Sequence, residues 1–127
     1  MTNRKLSNKK EIFRGDLIYA DLGQHIKSSV QSGERPCVVV SNNINNKNST
    51  IIVVCPCTSK IKKTHMPTHI KISKEDVRGY MSSDSLLLAE QITVISKHKV
   101  LFKMGHIPND SLVMNEINGA IKRQLAV

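Results

Sequence analysis

Two apolar runs rich in β-branched residues, "PCVVVS" (Pro36 to Ser41) and "TIIVVCPCT" (Thr50 to Thr58), flank the polar octet "NNINNKNS" (Asn42 to Ser49). Runs this short and this continuous predict strands buried on both faces, and the asparagine-rich stretch between them has turn chemistry. Two such strands, so closely joined, can pair antiparallel. The start of the first and the end of the second then meet at one edge of a sheet. Pro56 has no N–H to give a ladder, which predicts an edge or a bulge near the end of the second strand.

The rest of the chain extends this β pattern. "DLIYADLG" (Asp16 to Gly23) and "THIKIS" (Thr68 to Ser73) alternate as half-buried strands do, and "KEDVRGY" suits one helical turn before Gly79. "SLLLAEQITVIS" (Ser85 to Ser96) is too long for one straight strand in a small domain, so it predicts two strands, or one sharply bent strand, hinged near Glu90. "QHIKSSVQSGE" (Gln24 to Glu34) has no apolar period and predicts a loop. Only the end of the chain changes period. "PNDSLVMNEINGAIKRQL" opens at Pro108 with Asn109 or Asp110 as the expected cap, and it places Leu112, Val113, Ile117, Ala120, Ile121 and Leu125 on one helical face. Many short strands with one terminal helix predict a mostly β, α+β fold: a small, strongly bent antiparallel sheet or barrel with a C-terminal α-helix packed on it.

At 127 residues the chain suits a single domain. The basic start, residues 1–12, is expected to be a flexible tail and residues 13–127 the domain. That start lacks the apolar segment of a secretory signal, and no apolar run approaches the roughly 20 residues of a membrane span. The expected compartment is the cytoplasm. Cys37, Cys55 and Cys57 lie in apolar runs and read as reduced core residues. A zinc site from "CPC" with His65 and His69 has a spacing that matches no closed structural site, so neither metal nor cofactor is expected. The net charge of +9 points to a polyanionic partner, nucleic acid, an acidic protein or an anionic membrane, the last weakened by the lack of a strongly basic amphipathic helix; the plainer alternative is solvating lysines. Aromatic residues are only 3% of the chain, which argues against a recognition sheet built on stacked bases.

Arg35 stands where the loop meets the first buried strand. The proline after it pushes its backbone toward extended geometry, so a permanently charged five-donor fork is held beside a loop. Such a group suits a phosphate or a carboxylate. The plainer alternative is a surface ion pair with Glu34. At the facing strand end come Thr58 and Ser59, then Lys60, Lys62 and Lys63. Paired strands would let Arg35 and Thr58 address one anion; the plainer alternatives are a turn residue and a solvated lysine face.

In order, "RGDLIYADL", "SVQSGERPCVVVSN", "VCPCTSKIKK", "PTHIKI" and "LLLAEQITVI", from Arg14 to about Ile95, resemble the MazF/PemK family of toxin endoribonucleases. The resemblance implies a homodimeric SH3-like barrel of the CcdB/MazF kind with accessory helices. It also implies metal-independent cleavage of single-stranded RNA at specific short sequences, restrained by an acidic antitoxin. The family's catalytic arginine and threonine fall on Arg35 and Thr58, its loop serine and glutamine on Ser29 and Gln31, and its acidic–Gln pair on Glu90 and Gln91. With Ser59 and Lys60 these make the expected RNA-binding set. Many members carry a glutamate where this chain has Val30, and a basic residue where it has Thr93. Any role of that carboxylate is then lost or moved, with Glu34 and His25 as the candidate substitutes, and an altered cleavage site is expected.

RNA supplies its own nucleophile. The 2′-hydroxyl can attack the adjacent phosphorus, leaving a 2′,3′-cyclic phosphate and a 5′-hydroxyl, provided the protein aligns the attack and stabilises the added charge. Two other readings stay open: a non-enzymatic, CcdB-like inhibitor of a protein target, and a catalytically weak RNA-binding relative.

Overall fold

The computed structural model describes residues 11–127. Most of the expected N-terminal tail lies outside the described residues. Its last residue, Ile12, is buried in an apolar cluster rather than loose, because it covers one end of the strand face formed by Ile18 and its neighbours.

Eight strands form one antiparallel, curled sheet: β1 (Asp16–Asp21), β2 (Glu34–Val39), β3 (Ile51–Thr58), β4 (His69–Ile72), β5 (Arg78–Gly79), β6 (Ser85–Leu88), β7 (Thr93–Ser96) and β8 (Val100–His106). The order is β4-β6-β3-β2-β1-β8-β5, with β7 also on β3. β3 is therefore central, not an edge. Its first half, Ile51 to Val54, pairs with β7, and its end, Cys57 and Thr58, pairs with β6. Pro56 falls at the change of partner, where a missing N–H does least harm to the ladder. The long apolar run hinges as expected: a 3-10 turn, Ala89–Gln91, separates β6 from β7.

Two further expectations need correction. The asparagine octet is not a simple turn but a short helix, α1 (Asn43–Asn48). Asn42 caps it by accepting from the Asn45 N–H at 2.8 Å, and buried Asn46 donates to the Ser41 carbonyl at 2.8 Å, so the side-chain amides satisfy groups that a lone helical turn leaves open. The terminal helix, α2 (Leu112–Leu125), is capped by Ser111, whose hydroxyl accepts from the Met114 N–H at 3.2 Å, not by Asn109 or Asp110. That start turns Val113, Met114, Ile117 and Ala120 to the core and leaves Leu112 and Leu125 exposed.

Apolar burial occurs on both faces of the sheet. One cluster, including Leu17, Val38, Cys55, Cys57 and Leu87, packs beneath α2. The other, including Ile18, Ala20, Cys37, Val39, Ile52 and Val54, fills the inside of the curl. This is the period-2 alternation of half-barrel strands covered on both sides.

Candidate active site

The ladder between β2 and β3 pairs Cys37 with Pro56, Val38 with Cys55 and Val39 with Val54. Continued by two residues, it sets Arg35 opposite Thr58. Both line one open cleft of about 400 Å³, together with Glu34, Pro36, Ser59 and Lys60. The far wall comes from Met81, Ser82, Ser83, Ser85 and Met104. The sequence reading gave none of these wall residues a part in the site; Ser82 and Ser83 belong to the polar run "SSDS" between two apolar segments.

Arg35 is half-buried, and its Nε donates to the Ser32 carbonyl at 3.1 Å. The expected alternative, an ion pair with Glu34, is not formed: among the described residues no carboxylate lies within ion-pair range of Arg35. Among the described residues the Arg35 guanidinium makes no other hydrogen bond. Thr58 is half-buried, and its Oγ1 accepts from the Lys60 N–H at 3.2 Å. That bond uses a lone pair and leaves the hydroxyl hydrogen available to donate. Ser59 and Lys60 are exposed at the rim.

The other expected site residues form a second group that does not line the cleft. The loop between β1 and β2 is closed at its neck, where Leu22 N–H donates to Gly33 and Gly33 N–H to Gly23. Gln91 holds it from the side: Oε1 accepts from the Gln31 N–H at 2.7 Å, and Nε2 donates to the Ser29 carbonyl at 3.1 Å. Glu90 faces the other way. Its Oε2 meets His69 Nε2 at 2.7 Å, and its Oε1 is buried without a partner. The other nitrogen of His69, Nδ1, lies 3.0 Å from the Lys63 carbonyl. A carbonyl only accepts, so Nδ1 is the donor of that contact. His69 thus has a role the sequence reading missed, although "PTHIKI" was among the stretches quoted. Of the two substitutes for the missing loop carboxylate, Glu34 lines the cleft, whereas His25 does not and contacts the Leu22 carbonyl at 3.1 Å. Val30 is half exposed and Thr93 exposed.

The three thiols are core groups. Burial pushes the thiols of Cys37 and Cys55 up to about 12, and that of Cys57 well above its usual range. Among the described residues no three His, Cys, Asp or Glu side chains converge as a metal centre would need.

Residues 13–125 match the family model of the PemK-like, MazF-like toxins of type II toxin–antitoxin systems. The chain belongs to this toxin family. The endoribonuclease EndoA of Bacillus subtilis is 36% identical over 115 residues, covering 90% of this chain and 94% of the relative. The endoribonuclease MazF of Staphylococcus saprophyticus is 34% identical over 114 residues, covering 90% and 91%. In three dimensions the chain resembles MazF from Deinococcus radiodurans in its first crystal form, with a TM-score of 0.73 at 20% identity over 91% of this chain and 97% of that one. It also resembles a mycobacterial endoribonuclease in complex with its cognate antitoxin, with a TM-score of 0.69 at 23% identity over 92% and 95%. At these identities the solved structures speak to the fold, and they bear out the MazF-like, SH3-like bent sheet with its C-terminal helix. No helix among the described residues is long and apolar enough to cross a membrane.

Proposed function

We infer that this chain is a toxin endoribonuclease that cuts single-stranded RNA, mRNA included, at specific short sequences in the cleft between β2 and β3. The observation that carries the reading is the meeting of Arg35, without a carboxylate partner, and Thr58 in one open cleft of a MazF-like toxin.

In this account the RNA 2′-hydroxyl attacks the adjacent phosphorus, the bond to the 5′-oxygen breaks, and a 2′,3′-cyclic phosphate and a 5′-hydroxyl result. Arg35 stabilises the charge that builds on the phosphoryl oxygens, and Thr58 donates its hydroxyl hydrogen to one of them. Arg35 keeps its proton at neutral pH, so it is no general base. Glu34, the carboxylate in the cleft, takes the 2′ proton, and solvent water protonates the departing 5′-oxygen to give the hydroxyl. Lys60 and Ser59 hold neighbouring phosphate, and Gln91 and Glu90 shape the loop carrying Ser29 and Gln31. No step calls for a metal ion or other cofactor. With neither a glutamate at position 30 nor a basic residue at position 93, the sequence that is cut differs from that of relatives carrying both.

The toxin works in the cytoplasm as a homodimer, and an acidic antitoxin segment restrains it by lying over the basic cleft and competing for Arg35. The alternative, a CcdB-like inhibitor of a protein target, is less well supported, because the relatives over 30% identical are named as endoribonucleases. The test is to incubate the purified chain with a long single-stranded RNA in EDTA and determine the chemistry of the new ends. Recurrent cuts with cyclic phosphate and 5′-hydroxyl termini are expected; intact RNA, or 5′-phosphate ends, would overturn the reading.

A further inference from the structure

The chain has four aromatic residues, and none is fully buried. Phe13, Tyr80 and Phe102 are exposed, and Tyr19 is half-buried. A fold with two apolar clusters has thus filled both without an aromatic ring, although such rings bury more area than any other side chain. Two of the rings are organised. Tyr19 of β1 and Phe102 of β8 stand opposite each other in the ladder and stack, with centroids 5.1 Å apart and planes 19° from parallel.

Their position joins them to the cleft. On its other side Tyr19 pairs with Pro36, which lines the cleft beside Arg35, and Met104, two residues beyond Phe102 on β8, lines the opposite wall. Pro36, Tyr19 and Phe102 therefore form a row across three neighbouring strands, beginning at the cleft and ending on a ring about half exposed, at 51%. Side chains alternate along each strand, so this row lies on the face of Leu17 and Val38 whereas Arg35, opposite Ala20, turns to the other face; the two come together at the cleft, which Arg35 and Pro36 both line.

We propose that Tyr19 and Phe102 form a stacking subsite that receives an unpaired base of the RNA next to the phosphate held at Arg35. The proposal rests on the endoribonuclease reading and deepens it. A single strand threaded through a cationic cleft carries its bases splayed outward, and a flat aromatic face beside the phosphate site captures one by its π-face. Scarce aromatic residues still make a platform when the sheet register sets two of them side by side. Continuity with the cleft favours a base over the other occupants of an exposed aromatic pair, namely a second copy of the chain or an apolar antitoxin side chain.

The test uses Phe102→Leu, which keeps an apolar side chain and removes the ring, with Tyr19→Leu as a second variant. The probe is a labelled oligonucleotide spanning a cleavage site mapped with the wild-type chain, carrying 2′-deoxyribose at the scissile nucleotide. Its binding is expected to weaken about fivefold to a hundredfold in either variant. KM for cleavable RNA should rise with it, while kcat stays within about threefold. Because the chain has no tryptophan, Tyr19 is the sole strong emitter in a Tyr80→Phe background, and the oligonucleotide should quench it. Unchanged binding and unquenched emission in a chain that still cuts RNA would overturn the subsite and leave the nuclease standing. If the wild-type chain cuts nothing, the probe is a mixed-sequence single-stranded RNA, and ring-dependent binding to it would uphold the subsite and remove the nuclease. A change of oligomeric state in Phe102→Leu by light scattering, or a loss of antitoxin affinity alone, would give the ring to a protein contact and overturn the proposal.

Discussion

His69 and Glu90 meet at 2.7 Å, imidazole Nε2 to carboxylate Oε2, and this contact fastens the segment that carries Lys63 to the turn that carries Gln91. Gln91 in turn holds the loop of Ser29 and Gln31. One 3-10 turn therefore braces two non-strand stretches, the one carrying Lys63 and the one carrying Ser29 and Gln31. Glu90 already has one buried oxygen without a partner. Replacing His69 by Phe would leave both oxygens unpaired and is expected to lower stability by about 1–3 kcal/mol. Urea unfolding checks it: the midpoint should fall without a change in slope.

The buried cysteines set an alkaline limit to the fold. Desolvation raises Cys37 and Cys55 from 9.0 to about 12, so between those values the unfolded chain loses protons that the folded chain keeps. The sign is then fixed. Stability is complete below pH 9 and declines as pH rises toward 12, by up to about 1.4 kcal/mol per pH unit for each thiol. Urea midpoints at pH 8 and pH 10 should show the decline, and Cys55→Ala should make it shallower. By the same argument the native thiols should resist alkylation at pH 8 until urea is added.

Much of this was legible in the sequence because it follows from local chemistry. The buried runs around Val38 and Val54, the hinge near Glu90 and the loop before Arg35 are each written in a few adjacent residues. What was not legible depends on partners distant in the chain. β8 carries Lys103 within its run, and "VLFKMGH" reads as a strand only once β1 and β5 supply neighbours for it; Lys103 lies 3.1 Å from the buried Asp16 carboxylate. The asparagines after Ser41 were read as a turn because their local preference is for one, yet their amides found backbone partners that hold a helix. The cleft's far wall and the brace at His69 come from segments that only the folded sheet brings near Arg35.

Gly79 and Gly105 are register partners where β5 crosses β8. A Cβ on Gly105 would lie 2.6 Å from the Arg78 carbonyl oxygen, and Gly79 has φ +133°, which strains any other residue. Gly79→Ala is expected to destabilise the fold by about 1–3 kcal/mol. The check is thermal unfolding, in which Gly79→Ala should melt lower while an exposed control, Glu116→Ala, should not.

Glu34 lines the cleft beside Arg35, and the account gives it the 2′ proton. Glu34→Gln should lower kcat about a hundredfold or more and leave RNA binding little changed. Single-turnover cleavage alongside anisotropy separates the two effects. Equal rates for wild type and variant would assign the proton to another group or to water.

The central claim is that RNA is cut where Arg35 faces Thr58, and it is tested most directly by single-turnover cleavage of one mapped RNA site in EDTA. The wild-type chain is compared with Arg35→Ala, Arg35→Lys and Thr58→Ala, each first shown to melt like wild type. The account predicts a loss of about a hundredfold or more for Arg35→Ala, little rescue by lysine, whose ammonium lacks the planar fork, and a clear but smaller loss for Thr58→Ala. Cleavage at the wild-type rate by a folded Arg35→Ala chain would contradict it.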